Sequence, residues 1–139
     1  MLASQTLITH IAYSLYAPSM RLRTLASELL AAICALSSTE GHRAVLAAFS
    51  DFRIAHDEAF RFESLIISLR LPDADDEISG NGNSFDSEAE GSWEARTASM
   101  SLVNALTNYP DSLEERILLR DEFSRRGLNE VIVVNVMLF

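Results

Sequence analysis

The sequence predicts an all-α protein whose helices pack as stacked helical repeats or as a compact bundle. Three observations predict it. Apolar residues recur at i, i+3, i+4 and i+7 through most of the 139-residue chain, which is the spacing of one helix face. Pro18, Pro72 and Pro110, together with cap signals between them, punctuate the pattern into helices of roughly three to four turns. The composition, 48% hydrophobic with five glycines and three prolines, is that of an ordered helical chain. No sequence repeat recurs at a fixed period, so periodicity leaves repeats and bundle open.

Ser4 to Ala17 reads as a short helix with Leu7, Ile8, Ile11, Ala12 and Leu15 on one side, closed by Pro18. Met20 to Leu36, MRLRTLASELLAAICAL, comes next with Ser19 placed to cap it. This second helix has two faces that read as turned away from water. Leu22, Leu25, Leu29, Ile33 and Leu36 form one apolar stripe; a second, rotated by roughly 110° at about 100° per residue, carries Thr24, Glu28, Ala31, Ala32 and Ala35. The second stripe is too small to fill a core, so it leaves room for something bulky.

Ser37 and Glu40 have capping-box spacing, and a third helix running to about Phe52 buries Val45, Leu46 and Phe49. A fourth, from about Glu58 to Leu71, presents Phe62, Leu65, Ile66 and Leu69 and stops at Pro72. Leu71 to Ser92 breaks the pattern. It is rich in Gly, Asn, Ser and acid and is expected to be a disordered surface loop, because it cannot bury enough apolar surface to offset its ordering entropy.

Trp93 to Tyr109 is the fifth predicted helix, with Ser92 as its cap. Its apolar residues Ala98, Met100, Leu102, Val103, Ala105 and Leu106 cover more than half its circumference, yet Thr97, Ser101, Asn104 and Asn108 form a narrow polar line. A sixth helix begins at Pro110 to Ser112 and ends at Arg125 and Arg126, where Gly127 supplies the left-handed residue and Leu128 packs back on Phe123. A short seventh begins at Leu128 to Asn129, but VIVVNVMLF carries no charge after Glu130 and reads more like a strand or an unprotected end.

Charge and residue types exclude several functions. The net charge is −9, but Leu71 to Ser92 holds seven acids and no base, so the remainder is nearly neutral. With no basic stripe, nucleic acid is not an expected partner. Cys34 is the only cysteine, so no intrachain disulfide forms and a thiolate zinc site is excluded. Its apolar neighbours predict a buried, inert thiol. His10, His42 and His56 lack the spacing of a metal pair and read as ordinary surface or helix-end histidines. The acids of the loop lack calcium-loop register, and no Gly-rich phosphate cradle succeeds a strand. No apolar run approaches the roughly 18 residues of a membrane span, and the N-terminus has no basic n-region of a signal peptide. The expectation is a cytoplasmic, non-enzymatic interaction surface with no cofactor and no metal. The alternative is a small helical ligand-binding or enzyme domain with an internal pocket. In a third reading the stripes contact neighbouring repeats, with Asn104 buried against the chain itself.

Taken together, MRLRTLASELLAAICAL, His42 to Ile67, Ala98 to Asn108 (ASMSLVNALTN) and Leu119 to Ile132 (LRDEFSRRGLNEVI) resemble the armadillo-repeat FH3 regulatory region of diaphanous-related formins. The acidic loop and WEARTAS are most similar to the fungal branch. The resemblance covers about Leu7 to Ile132. It implies an armadillo-like α-superhelix over residues 1–134, with the loop 71–92 inserted and a divergent tail at 135–139. It further implies a concave face that holds an autoinhibitory amphipathic helix from the same parent protein. A Rho-type small GTPase releases that helix, controlling actin filament nucleation and, through it, actin cytoskeleton organisation, cell polarity and cytokinesis; actin itself is contacted only indirectly.

Carried over residue by residue, the family's groove-lining alanine falls on Ala32 and the position three residues on, usually a larger aliphatic, on Ala35. The groove asparagine falls on Asn104, and a neighbouring glutamine position on Ser101. Glu28 stands at a position that a base can hold in an animal relative, which favours a basic partner helix. The resemblance implies that the chain is a fragment, lacking the GTPase-binding element and the actin-assembly domains. Stacked repeats without polar caps expose apolar faces, so self-association is expected.

Overall fold

The computed structural model describes the backbone of residues 2–70 and 85–138 and the side chains of residues 4–70 and 93–133. Among the described residues the chain is all helical. α1 (Leu2–Tyr13) runs into a 3₁₀ turn (Ser14–Tyr16), then come α2 (Met20–Leu36), α3 (Glu40–Ala55), α4 (Glu63–Ser68), α5 (Phe85–Asn108), α6 (Leu113–Arg125) and α7 (Leu128–Leu138). Residues 71–84 of the expected acidic loop lie outside the described residues.

The caps expected from the sequence set the helix starts. Leu22 N–H donates to Ser19 Oγ at 3.4 Å, Glu40 N–H to Ser37 Oγ at 3.1 Å, and Glu115 N–H to Ser112 Oγ at 3.4 Å. At the end of α6, Gly127 has φ 93° and its N–H reaches the Ser124 carbonyl, while Leu128 turns back into the core with Phe123. Gly41 is glycine for a different reason: a Cβ there would stand 2.5 Å from the Ile33 carbonyl oxygen and 3.2 Å from Ile33 Cγ2. The start of α3 thus lies directly on the end of α2. Gly41→Ala is expected to destabilise the fold by about 1–3 kcal/mol in urea unfolding; an unchanged midpoint would show that this approach relaxes freely.

Two aromatic clusters hold the layers. Phe62 stacks on Phe123 at 4.6 Å and tilts against Phe49 at 5.0 Å, joining α3, the entry to α4 and α6. On the other side Tyr16 stacks on His56 at 4.3 Å beside Tyr13 and Phe52, fastening the 3₁₀ turn to the end of α3. Phe62 has φ 73°, a left-handed conformation costing a non-glycine residue about 1–3 kcal/mol. Burial of its ring offsets that strain, and Arg61 grips Glu122 of α6 through two bonds of 2.6 and 3.0 Å.

The structure departs from the sequence expectation at five places. The fourth helix is only Glu63–Ser68, because residues 56–62 form a side-chain-bonded corner. Ser64 N–H and Oγ both donate to the Glu58 carboxylate, Ala59 N–H donates to Glu63, and the Arg53 guanidinium donates to the Glu58 and Ala59 carbonyls. α5 begins at Phe85, so residues 85–92 are helical and Ser92 is not its cap. The terminal apolar run, including most of the expected tail, is helical to Leu138, since burying Leu128 and Val131 at i, i+3 overrides the low helix propensity of its valines. His42 is buried, and its Nε2 donates to the Leu106 carbonyl at 2.8 Å, tying α3 to α5.

The fifth departure concerns α2. Its core face is Ala26, Ser27, Leu30 and Cys34, turned toward α5, whereas Leu22, Leu25, Leu29 and Leu36 of the expected apolar stripe are exposed and Ile33 is half-buried. A small residue suits the buried face because, among the described residues, α2 and α5 make the most extensive helix contact, and Ala26 and Ser27 let the backbones approach. Burial pushes the Cys34 thiol up to about 12, as its expected inertness requires.

Candidate functional site

α2 and α5 lie side by side and run in the same direction. Ser38, just past α2, donates to Asp111, just past α5, at 3.2 Å, while the N-terminal half of α2 and Glu94 of α5 line a common cleft. That cleft has a volume of about 340 Å³ and is bounded by Met20, Arg21, Thr24, Leu25, Glu28 and Glu94. The parallel arrangement is set by the intervening helices. α3 starts against the end of α2, and α3 and α4 lie between α2 and α5 in the chain.

Glu28, Ala32 and Ala35 are exposed on α2, at i, i+4 and i+7; Thr24 and Ala31 beside them are half-buried. On α5 the polar line of Thr97, Ser101, Asn104 and Asn108 is exposed along its length. Glu94 extends this line, three residues before Thr97 and seven before Ser101, and it shares the cleft with Glu28. At this end the two stripes border one cleft. The Ser101 hydroxyl and the Asn104 carboxamide make no hydrogen bond with the described residues; the Asn104 backbone carbonyl accepts from Asn108 at 2.9 Å. Asn104 is not spent on the chain's own packing, which is what the neighbouring-repeat reading required.

The face is graded. At the C-terminal end of the two helices it is floored by Ala32 and Ala35 with amide and hydroxyl edges, and it offers van der Waals contact plus donors and acceptors. At the N-terminal end two carboxylates, Glu28 and Glu94, stand against one guanidinium, Arg21. The sequence missed Met20, Arg21, Leu25 and Glu94. Glu94 was legible as the continuation of the polar line, and Arg21 lies seven residues before Glu28. Met20, half-buried, and Leu25, exposed, line the cleft while Leu30 of the same helix is buried.

Such a face presents shape and charge. The titratable groups around it have no nucleophile–base pairing, and among the described residues no group of three His, Cys, Asp or Glu side chains is arranged to hold a metal. No helix among the described residues is long and apolar enough to cross a membrane.

The profile of the Diaphanous FH3 domain matches residues 42–134. Formin-F of Dictyostelium discoideum is 35% identical over 122 residues, which are 88% of this chain and 9% of that protein. Human Formin-like protein 2 is 30% identical over 125 residues, 90% of this chain and 10% of that protein, and mouse Formin-like protein 1 is 30% identical over 122 residues, 88% and 9% respectively. The chain thus spans about a tenth of the length of these relatives. The region matched by the profile runs from the start of α3 into α7 and includes α5, one wall of the face. By this match the chain belongs to the Diaphanous FH3 family and is an all-α, armadillo-like regulatory region of a formin.

Proposed function

We propose that the α2–α5 face receives an amphipathic helix, the autoinhibitory helix of the same parent protein, and that a Rho-type small GTPase relieves this contact. The region then acts as a competitive switch on actin filament nucleation in the cytoplasm, and through it on the actin cytoskeleton. The observation that supports the reading is the pair of exposed stripes, Glu28, Ala32 and Ala35 on α2 and Ser101 and Asn104 on α5, carried by two parallel helices that share one cleft. Small side chains on one wall allow a helix to sit close. Unpaired amide and hydroxyl groups on the other fix its register.

Charge sets the polarity of the bound helix. With Glu28 and Glu94 at one end, a partner carrying leucines for the alanine floor and a basic residue two to three turns away is complementary. A synthetic amphipathic helix of about 18 residues with arginine at one end tests this by fluorescence anisotropy. Binding is expected, with Glu28→Arg weakening it at least about fivefold and a glutamate-for-arginine peptide losing a similar amount. Absence of binding by any such peptide would overturn the reading.

A further inference from the structure

We propose that the cleft between the end of α3 and the end of α6 binds a phosphomonoester group, presented by a phosphorylated serine or threonine of a peptide segment. The cleft has a volume of about 360 Å³, and its walls include Arg53, Ile54, Phe60, Arg61, Glu122 and Arg126. It shares no residue with the α2–α5 face. Its walls come from α3, the corner at residues 56–62 and α6, and helices of this chain precede and follow each of them. The cleft is therefore interior to the chain and not an end of it.

Three guanidinium groups meet one carboxylate there. Arg61 and Glu122 neutralise each other through their bonds of 2.6 and 3.0 Å. The other two cations are held by neutral groups. Arg53 Nε and Nη2 donate to the carbonyls of Glu58 and Ala59 at 3.4 and 3.3 Å, while the Arg126 guanidinium lies over the Phe60 ring, 4.5 Å from its centroid. Neither cation makes an ion pair among the described residues. Of the corner's acids, Glu58 accepts from Ser64, and Asp57 does not line the cleft; Glu63, just beyond, accepts from Ala59 N–H. Two positive charges are left uncompensated on side chains whose planes are already oriented, which lowers the entropy cost of gathering them around an anion.

Charge and donor count name the anion. A phosphomonoester carries about −1.5 to −2 at neutral pH and three acceptor oxygens, which two guanidinium groups match, whereas a single carboxylate answers only one of them. Ile54 and Phe60 offer apolar contact to the residues beside it. A membrane surface is the poorer match, because adsorption to anionic lipid sums over about four to eight bases, and this chain has a net charge of −9.

Fluorescence anisotropy on the full chain tests the proposal, with a labelled peptide of about nine glycine and alanine residues around one phosphoserine, and its unphosphorylated twin. The phosphopeptide is expected to bind at least about tenfold more tightly than the twin, and inorganic phosphate to compete only at a concentration at least about tenfold above that of unlabelled phosphopeptide. Arg126→Gln should weaken binding at least about tenfold with the far-UV circular dichroism spectrum retained, since Arg126 is exposed. Arg125→Gln removes an equal charge from the neighbouring residue, which pairs with Asp121 and does not line the cleft, and should stay within about twofold of the original. Phosphatidylcholine vesicles containing phosphatidylserine should not retain the chain in sedimentation. A phosphopeptide bound no more tightly than its twin, equal competition by inorganic phosphate, equal losses in Arg125→Gln and Arg126→Gln, or binding to the vesicles in place of the peptide would each overturn the proposal.

Discussion

Ala32→Asp is expected to reduce the affinity of the α2–α5 face for an amphipathic helix at least about 100-fold, while leaving the fold intact. In the single chain Ala32 is exposed on α2, so a carboxylate there stays hydrated and folding is little changed. In the complex the same carboxylate would be covered by the apolar side of the incoming helix with no cation to meet it. Breaking the balance of a buried charge in this way costs about 3–5 kcal/mol, which is the origin of the 100-fold figure. Glu28, one turn earlier on the same stripe, adds like-charge repulsion. Ala32→Ser separates size from charge: it adds one hydroxyl, and a loss of no more than about tenfold is expected. Anisotropy titration with the arginine-bearing peptide reads both variants, and circular dichroism checks the helices. Unchanged affinity for Ala32→Asp would remove Ala32 from the binding face.

Phe123→Ala is expected to cost about 3–5 kcal/mol of stability, a large part of the roughly 5–15 kcal/mol typical of a whole domain. The Phe123 ring is fully buried and stacked on Phe62, which itself sits in a left-handed conformation. Removing it opens a cavity between α6 and the corner before α4 and withdraws the contact that offsets the strain at Phe62. Ile54→Ala is the control, since Ile54 is 80% exposed and should shift stability by no more than about 0.5 kcal/mol. Guanidinium unfolding monitored by circular dichroism measures both. A loss below about 1 kcal/mol for Phe123→Ala would mean that the surrounding aromatic rings close over the gap.

The helices and their starts were legible because the signals are local. Ser19, Ser37 and Ser112 cap through hydrogen bonds three residues away, and Gly127 stops α6 through its own φ. The irregular corner at residues 56–62 was not legible. Arg53, Glu58 and Glu63 have helix-compatible spacing, and only their side-chain bonds to backbone groups show that the chain turns there instead. The helical stretch 85–92 was hidden for a related reason. Its acidic composition is shared by disordered segments and by the opening turns of a helix, and the packed body of α5 immediately downstream decides between them.

The polar line on α5 and the small stripe on α2 could be drawn from periodicity alone, and the family resemblance gave Ala32, Ala35, Ser101 and Asn104 a common purpose. Spacing could not supply their adjacency. The parallel run of α2 and α5, and the cleft that joins Glu28 to Glu94, depend on α3 and α4 carrying the chain back between them.

By itself, the amino-acid sequence determined an all-α formin regulatory region, most of the places where its helices begin and end, and the two stripes available for a partner. Those properties live in hydrogen bonds and side-chain spacings within a few residues. Tertiary structure alone decided which face of α2 is core. By hydrophobicity the leucine stripe outranks Ala26, Ser27, Leu30 and Cys34, yet close approach of α5 favours the smaller set and leaves Leu22, Leu25, Leu29 and Leu36 in water. A helix with more than one apolar face states how much surface it can bury, and only its neighbours choose the side.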